Sequence, residues 1–106
     1  MNDGVGGLDP VIHAQARLRV VAALSPLRDG DKLSFPKLRE LLNMSAGNLS
    51  VHLRKLEDAD YVDVIKTHKG RTPVTYLALT SRGRAALDEY TAAIQELLDL
   101  NKGQSS

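Results

Sequence analysis

A stretch near the middle of the chain, SAGNLSVHLRKLEDADYV (residues 45–62), combines a leucine stripe with a polar stripe at helical spacing. Leu49, Leu53 and Leu56 recur every three or four residues, which predicts one buried face of an α-helix. The remaining faces carry small, polar and basic side chains, at Gly47, Asn48, Ser50, Val51, Arg54 and Lys55. Amides, hydroxyls, a guanidinium and a methyl-sized apolar group are what discrimination between base edges in a DNA groove requires.

A second basic segment, HKGRTP (residues 68–73), lies between two stretches rich in β-branched residues, YVDVIKT and VTYLALT. These stretches predict two strands that pair as a hairpin, with the turn-rich segment as its tip. Lys69, Arg71 and Thr72 would then lie at the tip, where cations suit contact with phosphate groups. Such residues can also serve only solubility in a loop, but the charge of the surrounding chain favours phosphate contact.

The charge distribution along the chain indicates a polyanionic partner. Although the net charge is only +1, residues 32–84 contain ten Lys and Arg against five Asp and Glu, a net charge of +5. Residues 1–31 carry a net charge of −1 and residues 85–106 one of −3. A basic middle between acidic ends predicts a surface that faces a polyanion.

The composition excludes several other kinds of chemistry. The 106 residues suit one domain and include no Cys, which excludes disulfides, thiolate metal sites and a Cys nucleophile. His13, His52 and His68 match no metal-ligand spacing, so neither a metal ion nor another cofactor is expected. His52 is expected beside the leucine stripe or against a phosphate. No arrangement of nucleophile, base or paired carboxylates indicates an enzyme.

The chain is expected to be a soluble cytoplasmic protein without a membrane partner. Its start, MNDGVGGLDP, lacks the basic region and the apolar run of a signal peptide. No uninterrupted apolar stretch approaches the length that crosses a bilayer.

The elements that must position the polar groups begin with an N-terminal helix. Asp9 is expected to cap it and Pro10 to occupy its first position. The segment VIHAQARLRVVAALS predicts one helix that ends near Ser25, because Pro26 disfavours helical geometry in the residue before it. Residues 32–34 can pair as a short edge strand.

Three further helices are predicted, each beginning at a hydroxyl cap. Ser34 begins the second, whose expected buried stripe is Leu38, Leu41 and Leu42. After a break at Asn43–Met44, Ser45 begins the third, which runs to about Ala59. Thr80 begins the fourth, with apolar positions at Leu87, Tyr90, Ile94, Leu97 and Leu98. Two short helices joined by a tight turn form a helix-turn-helix, and the hairpin adds a wing.

The predicted fold class is therefore α+β, a winged helix-turn-helix. Its order is helix, short strand, two helix-turn-helix helices, two-stranded β wing and long C-terminal helix. The expected organisation is a disordered arm at 1–8, a winged-helix domain with terminal dimerisation helices at 9–100, and a disordered tail at 101–106.

Two long stretches, IHAQARLRVVAAL and SFPKLRELLNMSAGNLSVHLRKLEDADYVDVIKTHKGRTPVTYLALTSRGRAAL, resemble small stand-alone winged-helix transcriptional regulators related to the MarR family. The resemblance covers nearly all of residues 9–98. It implies a homodimer that binds duplex DNA, with the third helix in the major groove and the wing on the backbone or minor groove. Asp60 stands where the family usually has Gly, at a helix end that is expected to need a left-handed conformation.

Two sets of site residues follow from the residue pattern together with this resemblance. The DNA-binding set is Ser45, Gly47, Asn48, Ser50, Val51, His52, Arg54, Lys55, Lys69, Arg71 and Thr72. The dimerisation set, on the terminal helices, is Val11, Leu18, Tyr90, Ile94, Leu97 and Leu98. The apolar residues of the last helix could instead be purely intradomain core, but a domain this small needs few of them. A twofold protein is expected to prefer an inverted repeat of double-stranded DNA.

A second function class remains open, since some winged helices serve as protein–protein interaction modules and fold alone does not fix function. The basic helix face and the basic wing favour the DNA-binding regulator. The sequence also leaves open whether a small-molecule effector binds.

Overall fold

The computed structural model describes the backbone of residues 8–105 and the side chains of residues 8–100. This part of the chain forms α1 (Pro10–His13), α2 (Gln15–Leu24), β1 (Leu33–Ser34), α3 (Phe35–Leu42), α4 (Ala46–Asp58), β2 (Val62–Lys69), β3 (Thr72–Leu79) and α5 (Ser81–Ser105). The predicted α+β winged helix-turn-helix is confirmed. Of the predicted disordered arm, residues 1–7 lie outside the described residues.

The N-terminal segment forms two helices, and the prediction of a single one was wrong. Asp9 caps α1 as expected, since its carboxylate accepts a hydrogen bond from the Val11 N–H at 2.9 Å. Ala14, however, is extended, with ψ 127°, which interrupts the helical backbone. The Val11 carbonyl instead accepts a hydrogen bond from Nε of Arg17 at 2.6 Å. The Val11 carbonyl loses its helical N–H partner at the break, and the Arg17 side chain replaces that partner.

The break at Ala14 accompanies a small apolar cluster between α1 and α5. This terminal cluster consists of Leu8, Ile12, Ala86 and Tyr90. Leu8 is only 3% exposed, so its assignment to a disordered arm was wrong. Burial of a leucine side chain stabilises by about 1.5–3 kcal/mol, which can offset the entropy lost on ordering one residue.

The helix-turn-helix is formed by α3 and α4, and both predicted caps are confirmed. The Ser34 hydroxyl accepts a hydrogen bond from the Lys37 N–H at 3.3 Å, and the Ser45 hydroxyl accepts one from the Asn48 N–H at 3.2 Å. Between the two helices, Asn43 is left-handed, with φ 53° and ψ 49°. Asparagine tolerates this conformation better than most residues, which explains why the chain can turn there.

The main core lies between α2, the helix-turn-helix and the sheet. Its buried residues are Val20, Val21, Leu24, Leu38, Leu42, Leu49, Leu53, Leu56, Val62 and Leu77. The leucine stripe of α4 is confirmed, but the inclusion of Leu41 in the stripe of α3 was wrong, since Leu41 is 57% exposed. Adjacent helical residues point about 100° apart, so the burial of Leu42 turns Leu41 out of the core-facing sector.

The sheet has the order β1-β3-β2, and all of its pairings are antiparallel. The pairing of β2 with β3 extends to Lys69 opposite Thr72, so the turn holds only Gly70 and Arg71. The predicted six-residue tip is therefore too long. Gly70 has φ +65°, as the first central residue of a type II′ hairpin turn requires. Pro73 fits here because the two-residue β1 pairs only with Leu77 and Tyr76 and leaves this edge of β3 open.

The C-terminal helix α5 projects from the body of the molecule. The Thr80 hydroxyl accepts a hydrogen bond from the Gly83 N–H at 2.9 Å, which confirms the predicted cap. Residues 101–105, expected in a disordered tail, continue the helix, and Ser106 lies outside the described residues. These 25 residues span about 37 Å at the rise of an α-helix. The molecule accordingly measures 61 × 26 × 26 Å. Within the described residues, no helix is long and apolar enough to cross a membrane.

Candidate nucleic-acid interface

The helix α4 docks on its own domain through one face only. Leu49 and Leu56 are fully buried and Leu53 is 4% exposed. The residues predicted on its DNA-binding side are solvent-exposed, at Ser45, Gly47, Asn48, Ser50, Val51, Arg54 and Lys55. This exposed set, called the reading face below, offers a hydroxyl, an amide, a guanidinium and an isopropyl group side by side. Such a surface can form hydrogen bonds and one apolar contact with an external partner.

Gly47 lies in the first turn of α4, where the fold does not require a glycine. Among the described residues, nothing lies within 4 Å of the position that a Cβ would occupy. Glycine in a helix costs about 0.5–1 kcal/mol relative to alanine, so its presence here is locally unfavourable. A close approach of an external surface to this backbone would account for it.

His52 lies at the edge of the leucine stripe and is half-buried. Its Nδ1 is buried and, within the described part of the chain, has no hydrogen-bond partner. Burial lowers the pKa of His52 below its ordinary value, and the nearby charges of Arg17 and Lys55 lower it further. The position beside the leucine stripe matches the sequence-based expectation, and contact with a phosphate remains a prediction.

The wing, formed by β2, β3 and their turn, exposes the three residues predicted at its tip. Lys69, Arg71 and Thr72 are all solvent-exposed. Eight-residue strands extend about 26 Å at the rise of a β-strand, which separates the tip from the main core. Two cations at the end of such a hairpin can contact anionic groups that lie at a distance from the main core.

A groove of about 380 Å³ joins the reading face to the wing. Its polar lining comes from Ser50, Arg54 and Glu57 of α4 and from Lys66 and Thr75 of the wing. Lys66 was missed by the sequence analysis. Lys66 follows the inward-facing Val62 and Val64 at a spacing of two residues. Because residues two apart share one face of a strand, this spacing could have placed Lys66 on the α4 side of β2.

A second groove, of about 610 Å³, lies between the beginning of α3 and the wing tip. Lys37 lines it from α3, and Lys69 and Thr72 line it from the wing. The Lys37 ammonium lies 3.6 Å from the carboxylate of Glu40, and both side chains are largely exposed. Lys37 is therefore a further cation near the tip, and nothing in its helical pattern distinguished it from a solvated lysine.

The predicted dimerisation residues differ in how much surface their own chain leaves free. Val11, Leu18 and Ile94 are half-buried, whereas Leu97 and Leu98 are 45% and 54% exposed. Tyr90 is only 8% exposed, and its hydroxyl lies 3.0 Å from Nδ1 of His13. Little of Tyr90 is thus left for a partner, because the terminal cluster encloses it. Leu100, which the predicted set omitted, is 62% exposed.

Titratable side chains show no sign of a metal centre in the described part of the chain. No three His, Asp or Glu side chains there come close enough together to hold a metal ion.

Comparison with known proteins identifies the fold family. Residues 16–98 match the winged helix DNA-binding domain family. The chain belongs to this family. The family is one of DNA-binding domains, which agrees with the prediction of a DNA-binding protein from the sequence. An uncharacterized protein of Methanocaldococcus jannaschii is 36% identical over 93 residues, which cover 87% of this chain and 94% of that protein.

Solved structures show the same winged-helix fold. A transcriptional regulator homologue from Pyrococcus horikoshii OT3 superimposes with a TM-score of 0.76 at 26% identity, over 84% of this chain and 85% of that one. MepR of Staphylococcus aureus, in a complex with DNA, gives a TM-score of 0.70 at 16% identity, over 90% and 75% of the two chains. The second likeness shows a shared fold. The resemblance to small winged-helix transcriptional regulators is confirmed. ZitR of Lactococcus lactis, a MarR family member, shares the fold with a TM-score of 0.57 at 17% identity, over 84% of this chain and 58% of that one.

Proposed function

We propose that this winged-helix protein is a sequence-specific transcriptional regulator that binds double-stranded DNA as a homodimer. The observation that carries the proposal is the reading face of α4, exposed and polar, joined by a groove to a basic wing. Neither feature alone distinguishes a DNA-binding surface from an ordinary solvated one. Together they support base reading by α4 beside phosphate contact by the wing.

The helix α4 fits the major groove in size and chemistry. An α-helix with its side chains is about 10–12 Å across, and the groove is about 12 Å wide. Asn48, Ser50 and Arg54 supply hydrogen bonds for base edges, and Val51 supplies an apolar contact for a thymine methyl group. Gly47 lets the backbone of the first turn approach the DNA closely.

The wing holds the DNA backbone or enters the minor groove. Lys69 and Arg71 are charges on a short turn, which suit phosphates but carry little direct sequence information. Lys66 in the groove beside α4 and Lys37 at the start of α3 extend this basic surface. Their contribution is electrostatic, so it depends on salt.

The homodimer forms through the terminal helices. The apolar stripe of α5 begins in contact with the body at Ala86 and Tyr90 and continues beyond it to Leu97 and Leu98. A second copy of α5 related by a twofold axis would cover these leucines. The two copies of α4 would then read an inverted repeat whose half-site centres lie about 10–10.5 base pairs apart, or a multiple of this.

Selection of bound duplexes from a random DNA pool tests the proposal, followed by titrations of the selected site and of scrambled DNA at several salt concentrations. Asn48→Ala should cost about 1–3 kcal/mol on the selected site and little on scrambled DNA. Arg71→Ala should weaken binding to both and reduce the salt slope by about one. Arg28→Ala, in an exposed loop outside both grooves, is the charge-matched control and should change neither.

Two outcomes would contradict the proposal in different ways. If the pool yields no enriched motif, a protein–protein interaction module becomes the better description. If Arg71→Ala abolishes discrimination while Asn48→Ala retains it, the wing reads the sequence and the assigned roles are reversed.

A further inference from the structure

Tyr61 lies where four elements meet, directly after the left-handed Asp60 with φ +65°. Its N–H donates to the carbonyl of Leu56 at 2.9 Å, which closes the C-terminal end of α4. Its own carbonyl accepts a hydrogen bond from the Thr80 N–H at 3.0 Å, at the start of α5. The backbone of one residue therefore connects the end of the reading helix to the beginning of the long C-terminal helix.

The side chain of Tyr61 makes a second connection. Its half-buried ring packs against both the main core and the terminal cluster. Its hydroxyl donates a hydrogen bond to Oδ2 of Asp9, and Oδ1 of the same carboxylate caps α1. Burial and the bond to Asp9 raise the pKa of Tyr61 to about 12, so the hydroxyl keeps its proton at neutral pH.

The contact between Tyr61 and α5 is close enough to require a glycine. A Cβ built on Gly83 would lie 2.1 Å from the Tyr61 carbonyl oxygen and 2.9 Å from Cδ1 of Leu79. Backbone therefore packs directly on backbone at this point. Because the Tyr61 backbone bonds to both α4 and α5, it couples the orientations of the two helices, and the bond to Asp9 restrains the same residue from the side of α1.

We propose that the Tyr61–Asp9 hydrogen bond is a positioning device that sets the tilt of α4 relative to α1 and α5. In the proposed homodimer, on which this inference rests, that tilt determines the separation of the two reading helices. The helix α4 has 13 residues and is about 20 Å long. A tilt of about 10° about its C-terminal end would move its first turn by about 3.4 Å, which is one base-pair step.

The test measures binding to a series of inverted repeats whose half-site spacing changes one base pair at a time. The wild-type protein should show a sharp optimum. Tyr61→Phe keeps the ring and removes only the hydroxyl, so affinity for a single half-site should stay the same. The preference for the best spacing over its neighbours should fall about tenfold, the scale expected for one hydrogen bond to a charged group.

Two matched variants separate positioning from general stability. Asp9→Ser keeps a capping hydroxyl for α1 but lacks the second oxygen that accepts from Tyr61, so it should broaden the spacing preference equally. The double variant should be no broader than either single one, because all three lose the same bond. Ser25→Ala, which removes only an exposed hydrogen bond from the Ser25 hydroxyl to the Ala22 carbonyl at the end of α2, is the control and should keep the wild-type optimum.

The outcomes are distinguishable from failure of the proposed function. If the wild-type protein shows no spacing optimum, homodimeric reading of an inverted repeat fails, and this inference fails with it. If the wild-type optimum is sharp and Tyr61→Phe keeps it, the positioning role alone is overturned. An equal loss of affinity at every spacing and on the single half-site would also overturn it, since that is the effect of lost stability.

Discussion

The reading face of α4 and the far end of α5 are both exposed, but they expose different chemistry. On α4, Val51 is 55% exposed among amide, hydroxyl and basic groups. On α5, Leu97, Leu98 and Leu100 are 45–62% exposed near the acidic residues of the C-terminal segment. Exposure alone therefore does not indicate what covers a surface. Polar groups around one small apolar side chain suit DNA, whereas adjacent leucines suit another protein surface.

The difference arises from how far each apolar stripe extends relative to the body of the molecule. The leucines of α4 all lie in the core, so the opposite side of the helix is exposed and carries polar residues. The apolar stripe of α5 extends beyond the body of the molecule, because the helix continues for several turns past Tyr90. Apolar surface left uncovered in this way gains most from association with a second copy.

The largest effect is expected from charges on the exposed leucines of α5. Leu97→Asp with Leu98→Asp should raise the dimer dissociation constant about a thousandfold or more, since four partly buried leucines per dimer are replaced by charges. Sedimentation or light scattering at micromolar concentration measures the change. Ala92→Asp, on the polar side of the same helix, should leave the dimer intact. If the double variant stays dimeric, the dimer interface lies elsewhere. The exposed leucines of α5 then do not form a protein-binding surface.

Gly47 of α4 and Gly83 of α5 should respond in opposite directions to alanine. Gly83→Ala should lower the free energy of unfolding by about 3 kcal/mol, because its methyl group would overlap the Tyr61 carbonyl. Gly47→Ala should raise it by up to about 1 kcal/mol, since the site is open and alanine favours helix. Urea unfolding measures both changes.

The same Gly47→Ala protein should bind its DNA site more weakly than the wild type despite its higher stability. Weaker DNA binding together with higher stability would show that Gly47 is kept for contact with DNA and not for the stability of the fold. Unchanged DNA affinity would show that no surface approaches the first turn of α4 closely.

The smallest effect concerns His52 on the edge of the reading helix. Because the pKa of His52 is lowered in the folded protein, the unfolded chain takes up a proton first as the pH falls below 6.5. The contribution of His52 to stability is therefore present above pH 6.5 and is lost as the pH falls through the folded pKa. His52→Gln should show a smaller acid loss than the wild type in urea unfolding between pH 5 and pH 8, a range set about the ordinary histidine pKa.

A histidine of the wing provides the matched control for this pH dependence. His68 is exposed on β2, so His68→Gln makes the same substitution without changing a buried side chain. If the two substitutions give the same curve, burial of His52 is not the cause of the acid loss.

Much of the local architecture was determined by the sequence itself. Ser34, Ser45 and Thr80 begin helices as predicted, because a capping hydroxyl accepts from an N–H only three residues ahead. The left-handed Asp60 and the leucine stripe of α4 are likewise consequences of short-range pattern. Such features depend on neighbours within one or two turns, so the residue order alone specifies them.

Other features were decided only by the tertiary structure. The extended Ala14 and the buried Leu8 depend on contacts with α5, and the hydrogen bond from Tyr61 to Asp9 joins residues 52 positions apart. No local propensity marks these choices, because alanine favours helix and an isolated leucine or tyrosine suits many environments. The energy that selects them comes from packing between distant segments. The sequence therefore predicted the reading helix and its outward residues, while the packing of α1 and α5 determined how that helix is held.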